Sequence, residues 1–156
     1  MTTEPKAVVP TETPSPLSGP EKLERAMTGF QAYEQGRYSD ARDVFLDLVE
    51  RDPTEGYYRT ALGAISLAMD DLDSALEHLD AALRLNSQDT AALVNRGEVH
   101  LRLGNVMAGA RDFALAVAMD PENKDPLTER ARLLAAAALQ SAEEAQLDAV
   151  DGSEEG

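Results

Sequence analysis

The chain has no cysteine, no tryptophan and only two histidines. The lack of cysteine excludes disulfides and thiolate metal sites. Neither His78 nor His100 has a second histidine at metal-ligand spacing, so we predict no metal and no cofactor. The sequence also contains no catalytic constellation and no glycine-rich phosphate loop. We therefore predict that the protein is not an enzyme.

Basic residues are scarce, with 14 Lys and Arg against 29 Asp and Glu and a net charge of −15. Nucleic acids and anionic membrane surfaces both require basic footprints, so neither is expected as a partner. The sequence has no apolar run of about 18 residues, so direct membrane insertion is not expected. The first twenty residues lack the basic segment and apolar core of a signal peptide. The expected location is the cytoplasm.

Both ends of the chain differ in composition from its middle. Residues 1–20 contain five of the eight prolines and are predicted to form a disordered arm. Residues 141–156 carry six acids and no base. Such charge runs are typical of solvated segments, so we predict a disordered, solubilising acidic tail at 148–156.

Between these ends the sequence repeats itself every 34 residues. Small residues recur at Gly29, Gly63 and Gly97, and the step has no insertion or deletion. The other columns of the repeat are Tyr38, Leu72 and Val106; Phe45, Leu79 and Phe113; and Ala41, Ala75 and Gly109. Several columns in register over three units predict an array of repeats at 22–55, 56–89 and 90–123.

Each unit is predicted to be a helical hairpin. Gly36 and Gly104 provide flexible corners in the first and third units, and Asp70 and Asp71 suit a turn in the second. After the third unit, residues 126–147 carry an apolar stripe at helical spacing. Since a stack of hairpins leaves an apolar end, we predict that this segment is a capping helix.

The columns resemble the tetratricopeptide repeat (TPR) in both period and residue type. The resemblance implies an all-α fold, in which three TPR hairpins form a right-handed superhelix with a C-terminal capping helix. The TPR domain would span residues 21–147. In this family the first helix of each hairpin lines a concave groove that binds other proteins.

The groove positions of the family can be transferred to this sequence. They predict a partner-binding groove that is apolar at its centre. Its residues are expected to be Met27, Phe30, Tyr33, Tyr57, Ala61, Ala64, Leu67, Ala68, Val94 and Leu101. TPR proteins that hold the terminal carboxylate of heat-shock chaperones use Lys and Asn where this chain has Ala26 and Phe30. An apolar segment, extended or helical, is therefore the expected ligand.

The segment YYRTALGAISLAM at 57–69 carries two apolar stripes on one helix. One stripe is expected to face the groove and the other to face neighbouring helices. The groove stripe is Tyr57, Ala61, Ala64 and Ala68, and the packing stripe is Tyr58, Leu62, Ile65 and Met69. The groove stripe could also contact the N-terminal arm or a second copy, so a homodimer remains open.

The segments GFQAYEQGRYSDARDVF and YYRTALGAISLAMDDLDSAL resemble the class II chaperones of type III secretion. Those are small three-TPR proteins that hold hydrophobic translocator subunits in the cytoplasm before export. The resemblance implies a chaperone that holds an apolar segment of a client protein. The alternative is a scaffold or adaptor subunit of a larger bacterial assembly, which would use the convex face or the acidic tail.

Overall fold

The computed structural model describes Thr3 and residues 14–154. Within these residues the chain forms seven α-helices and no strand, which confirms the all-α prediction. The helices are α1 (Gly19–Glu34), α2 (Tyr38–Arg51), α3 (Gly56–Ala68), α4 (Leu72–Leu85), α5 (Thr90–Arg102), α6 (Val106–Ala118) and α7 (Pro126–Glu154). None of the described helices combines the length and hydrophobicity that a bilayer crossing would need.

The first six helices form three hairpins, α1–α2, α3–α4 and α5–α6, as predicted. The hairpins stack because α2 packs on α3 and α4 packs on α5. The turn inside each hairpin contains one residue with positive φ: Gly36 at 74°, Asp70 at 58° and Gly104 at 83°. Glycine adopts this conformation without strain, and aspartate is one of the few other residues that tolerate it. The predicted corners are therefore confirmed.

The two helices of a hairpin are in close contact at the glycine column of the repeat. A Cβ atom on Gly97 would lie 2.5 Å from Cε1 of Phe113, and one on Gly63 would lie 2.4 Å from Cδ2 of Leu79. Leu79 and Phe113 are completely or almost completely buried. A glycine on the first helix thus makes room for a large side chain of the second helix.

Two clusters of buried side chains form the core. One joins the first hairpin to α3 and includes Phe45, Leu48 and Leu62. The other joins α3, α4, α5, α6 and α7, and it includes Phe113 and Ala131. Burying each large apolar side chain contributes about 1.5–3 kcal/mol, so these clusters hold the stack together.

A polar contact fixes the third hairpin on the second. Arg96 of α5 donates two hydrogen bonds of 2.8 Å to Asp112 of α6 and one of 3.0 Å to Asp80 of α4. The hydrogen bonds with Asp112 raise the pKa of Arg96. Because Asp112 is buried, the bidentate pairing replaces hydrogen bonds that its carboxylate would make to water, and this is the geometry that a guanidinium group favours.

The helix α7 is longer than predicted. The sequence suggested an end at residue 147 and a disordered tail from 148, whereas the helix continues to Glu154. The extra turns, residues 148–154, include Ala149 and Glu154, which are good helix formers, and they contain no proline that would end the helix. The prediction for 148–154 is therefore corrected, and residues 155–156 lie outside the described residues.

The N-terminal arm was predicted to cover residues 1–20, but α1 already begins at Gly19. Ser18 and Glu21 form a reciprocal capping box at its start. Before the helix, Arg51 donates a hydrogen bond of 2.9 Å to the carbonyl oxygen of Ser15, and Leu17 packs against the first core cluster. Residues 1–2 and 4–13 of the predicted arm lie outside the described residues.

Asp120 attaches the start of α7 to the third hairpin. Its carboxylate accepts hydrogen bonds from the Thr128 hydroxyl and from the backbone N–H groups of Lys124 and Asp125, both at 3.0 Å. The hydrogen bond from Thr128 is the largest of the effects that lower the pKa of Asp120 to about 2. The hydrogen bonds at Asp120 therefore stabilise the charged carboxylate relative to its protonated form.

We expect Gly97→Ala to lower the free energy of unfolding by about 1–2 kcal/mol, because the overlap with Phe113 outweighs the gain in helix propensity. Gly152→Ala on α7 is the matched control, since a Cβ at that position meets nothing within 4 Å. It should leave the stability unchanged or raise it. Urea unfolding followed by circular dichroism measures both, and a G97A variant as stable as the wild type would contradict the close contact.

Asp120 should make the free energy of unfolding depend on pH in the acidic range. Its pKa is lowered in the folded state, so its contribution is complete above the unfolded value near 3.8 and disappears as the pH falls towards 2. Asp120→Asn should lower the melting temperature at pH 7 and reduce the further loss between pH 4 and pH 2. Asp43→Asn, on the exposed side of α2, is the control and should retain the acid profile of the wild type.

Candidate functional site

An apolar cavity of about 330 Å³ lies between the first helices of the three hairpins and α7. Side chains from α1, α3, α5 and α7 form most of its wall, and α2 contributes one. The lining residues are Phe30, Tyr33, Phe45, Tyr57, Thr60, Ala61, Ala64, Ile65, Ala91, Asn95 and Leu127. None of these described residues carries a charge. The cavity therefore suits an uncharged, apolar group.

Aromatic rings form one side of the cavity. The ring centroids of Phe30 and Tyr33 are 6.2 Å apart, and those of Phe45 and Tyr57 are 6.3 Å apart in an edge-on arrangement. Phe30 and Tyr57 each remain 45% exposed, while burial of the remainder raises the pKa of the Tyr57 hydroxyl. These rings are fixed by their neighbours, yet they still offer large apolar surfaces to a ligand.

Small side chains form another part of the wall. Ala61 and Ala64 of α3 and Ala91 of α5 are half-buried and leave the space that the cavity occupies. The Thr60 hydroxyl donates a hydrogen bond of 2.6 Å to Asp89, so its polarity is satisfied within the protein. A ligand would therefore meet mainly carbon atoms on this wall.

A second, shallower apolar surface adjoins the cavity and borders a volume of about 350 Å³. Leu23, Ala26, Met27 and Gln31 of α1 line it, together with the same Phe30 and Tyr57 that border the cavity. The two surfaces are therefore continuous. We refer to the cavity and this surface together as the groove.

Six of the ten predicted site residues lie in the groove. Five line the cavity and Met27 lines the adjoining surface. The five are Phe30, Tyr33, Tyr57, Ala61 and Ala64. Their part in partner binding remains a prediction, but the structure brings them together as the sequence suggested.

Four predicted residues do not line the groove. Leu67 is 7% exposed and Val94 is 0% exposed, and both belong to the core cluster that joins α3 to α7. Leu67 lies near the end of α3 and Val94 lies on α5, and they are buried where α3 contacts α5 and α5 contacts α7. Leu101 is half-buried and packs beside Gly109 of α6. Ala68 is exposed at the end of α3, beyond the cavity wall.

Six residues beyond the ten predicted ones line the cavity: Phe45, Thr60, Ile65, Ala91, Asn95 and Leu127. Phe45 belongs to a column of the repeat and Ile65 was assigned to the packing stripe. Both are buried, but one side of each also borders the cavity. Leu127 was assigned to the capping helix. It lies 34 residues after Leu93, so continuing the repeat step into α7 would have marked it as a repeat position.

The two histidines lie away from the groove, in the part of the chain that the structure describes. Nδ1 of His78 is 3.1 Å from Nη1 of Arg59, and burial is the main reason that the pKa of His78 is lowered. His100 is half-buried near Asp112. Among the described residues, no group of three or more His, Cys, Asp or Glu side chains could hold a metal ion.

The tetratricopeptide repeat family model matches residues 31–89 and 60–124 of the chain. These matches cover more than half of the sequence and include parts of all three hairpins. The chain therefore belongs to the tetratricopeptide repeat family.

Curated proteins with similar sequences are much longer. DnaJ homolog subfamily C member 3 of Mus musculus is 30% identical over 121 residues, which cover 76% of this chain and 24% of that protein. BBSome complex member BBS4 of Xenopus tropicalis is 28% identical over 93 residues, covering 60% of this chain and 18% of that protein. The chain thus spans about a quarter or less of the length of these relatives.

Solved structures show the same fold. PcrH in complex with the chaperone binding region of PopD has a TM-score of 0.74 at 23% identity, covering 81% of this chain and 96% of that chain. The translocator chaperone SycD of Yersinia enterocolitica has a TM-score of 0.74 at 24% identity, covering 81% and 97%.

A third solved structure with this fold is the first TPR of Spaghetti (RPAP3) bound to the HSP90 peptide SRMEEVD. Its TM-score is 0.73 at 19% identity, with 81% and 97% of the two chains covered. The expected resemblance to TPR proteins, among them type III secretion translocator chaperones, is thus confirmed at the level of the fold.

Substitutions should separate the core residues from the groove residues. Val94→Ala removes buried methyl groups and should lower the free energy of unfolding by about 1–3 kcal/mol. Met27→Ala, at an exposed position of the groove, should change it by no more than about 0.5 kcal/mol. Urea titration of both variants tests the assignment, and equal losses of stability would contradict it.

Proposed function

We propose that this protein is a TPR chaperone that holds an apolar segment of a client protein in its groove, as the translocator chaperones of type III secretion do. The observation that carries the proposal is the uncharged cavity between the first helices and α7. It is open at the rings of Phe30 and Tyr57, where a client side chain could enter. In this proposal the protein works in the cytoplasm and needs no cofactor.

The dimensions of the groove favour a chain segment over a small ligand. The cavity can take one or two large apolar side chains, and the adjoining surface along α1 can take the next ones. Each buried anchor side chain would contribute about 1.5–3 kcal/mol before the cost of ordering the segment. Two or three anchors on an extended or helical segment would therefore be needed for stable binding.

The solved relatives support a protein ligand of this kind. PcrH was solved with the chaperone binding region of PopD, and SycD was solved with a peptide of the translocator YopD. The RPAP3 domain instead holds an acidic peptide. An acidic ligand needs basic side chains to receive it, and the residues that line the cavity here include no Lys or Arg. An apolar client fits this wall better.

The test uses a charge placed in the cavity wall. Ala64→Glu puts a carboxylate into the cavity, whereas Ala68→Glu puts the same charge one turn further along α3, outside the wall. Wild type and both variants serve as bait in affinity purification from the native cell, after circular dichroism confirms that each is folded. Partners recovered with the wild type and A68E should be lost with A64E, because an unpaired charge opposes burial of an apolar segment.

Equal recovery of partners by A64E and the wild type would contradict binding in the groove. The chaperone role is tested by expressing a recovered client alone and together with the protein. A chaperone should increase the soluble fraction of its client, and A64E should not. A client that is equally soluble alone would show that the groove binds a partner without protecting it.

A further inference from the structure

The end of α7 extends away from the repeats without a packing partner. All residues from 139 to 154, which we call the distal segment, are exposed. They include three large apolar side chains, Leu139, Leu147 and Val150, with exposed fractions of 62%, 67% and 54%. Isolated helices of about this length are only marginally stable in water. The distal segment lacks the tertiary contacts that normally stabilise a helix.

The apolar face of the distal segment continues the face by which α7 packs on the third hairpin. Ala131, Ala135 and Ala138 are buried or half-buried against the protein. The same spacing of three and four residues continues at Ala142, Ala145 and Ala149, which are all exposed. At 100° per residue these three alanines, Leu139 and Val150 fall within an arc of about 140°. A packing face thus extends beyond the repeats.

The charges beside this face all have one sign. The distal segment carries Glu143, Glu144, Asp148, Asp151 and Glu154, and residues 133–154 contain no Lys, Arg or His. Glu144 and Asp148 form a like-charge pair at i, i+4, which destabilises a helix. The acids also lie near the negative end of the helix dipole. Positive charges from outside would relieve both effects.

We propose that the distal segment is a docking site for a basic amphipathic helix of another protein. Its apolar stripe would pack along the alanines, Leu139 and Val150. Its Lys and Arg side chains would pair with the acids that flank this face, Glu143, Asp148 and Glu154. A second copy of this chain is disfavoured, because pairing two distal segments would bring ten carboxylates together without a cation. This site is separate from the groove and would suit a role as an adaptor.

The test uses a defined peptide and the full chain. The peptide has three heptads with Leu and Ala at the apolar positions and Lys at the flanking positions; a scrambled peptide of the same composition removes the stripe. Fluorescence anisotropy should show binding of the patterned peptide about tenfold or more tighter than binding of the scrambled one. Circular dichroism of the mixture should show more helix than the sum of the two components.

Variants locate the binding site. Leu139→Gln combined with Val150→Gln removes both large side chains of the face and keeps the charge, and it should weaken binding of the patterned peptide about tenfold or more. Leu133→Gln is the matched control, because Leu133 is also exposed on α7 but lies before the distal segment. It should bind like the wild type, and so should the groove variant A64E.

Three results would overturn the proposal. Equal binding of the scrambled peptide, or unchanged binding by the L139Q/V150Q variant, would show only general attraction to an acidic protein. Loss of binding in A64E would place the peptide in the groove. Sedimentation analysis that shows the chain dimerising alone, and losing the dimer with L139Q/V150Q, would assign the face to a second copy.

Discussion

The arrangement of this protein depends on the close contact inside each hairpin, where a glycine of the first helix faces a large side chain of the second. A Cβ atom added at Gly29, Gly63 or Gly97 would lie 2.7, 2.4 or 2.5 Å, respectively, from the nearest side-chain atom of the second helix. Each contact therefore excludes any side chain at the glycine position. The next position in the 34-residue step is Ala131 on α7. A methyl group is possible there because no second helix follows α7 in the described chain.

The groove is a consequence of this packing. Because one side of each first helix is occupied by its own hairpin partner, the side chains on another face are left to line a shared surface. On α1 and α3 that face carries Phe30, Tyr33 and Tyr57 beside small alanines. The alanine side chains are short and the rings are held by their neighbours, so neither fills the space between them. A cavity therefore remains where a closed core would otherwise form.

The sequence was sufficient to predict the hairpins, because the 34-residue columns, the turn at Asp70–Asp71 and the two glycine corners are local signals. It also identified the face of α3 that carries Ala61 and Ala64. It did not show which positions along that face are covered. Leu67 and Val94 have the residue type expected in an apolar groove, yet both are buried in the core cluster that joins α3 to α7. Burial of this kind depends on the packing of distant helices, and the spacing of apolar residues within one helix does not predict it.

The length predicted for α7 was also too short, just as the exposure predicted for Leu67 and Val94 was too high. An acidic composition suggested disorder from residue 148, but composition measures charge and hydrophobicity and not the apolar spacing that Ala142, Ala145 and Ala149 maintain.

The two proposed surfaces would select their partners by different forces. Binding in the uncharged groove would depend on desolvation and shape, which salt affects little. Binding at the distal segment would depend partly on charges exposed to water, and these are screened over about 10 Å at 0.1 M salt. One small protein would thereby hold an apolar client while its attachment to a second protein responded to ionic conditions.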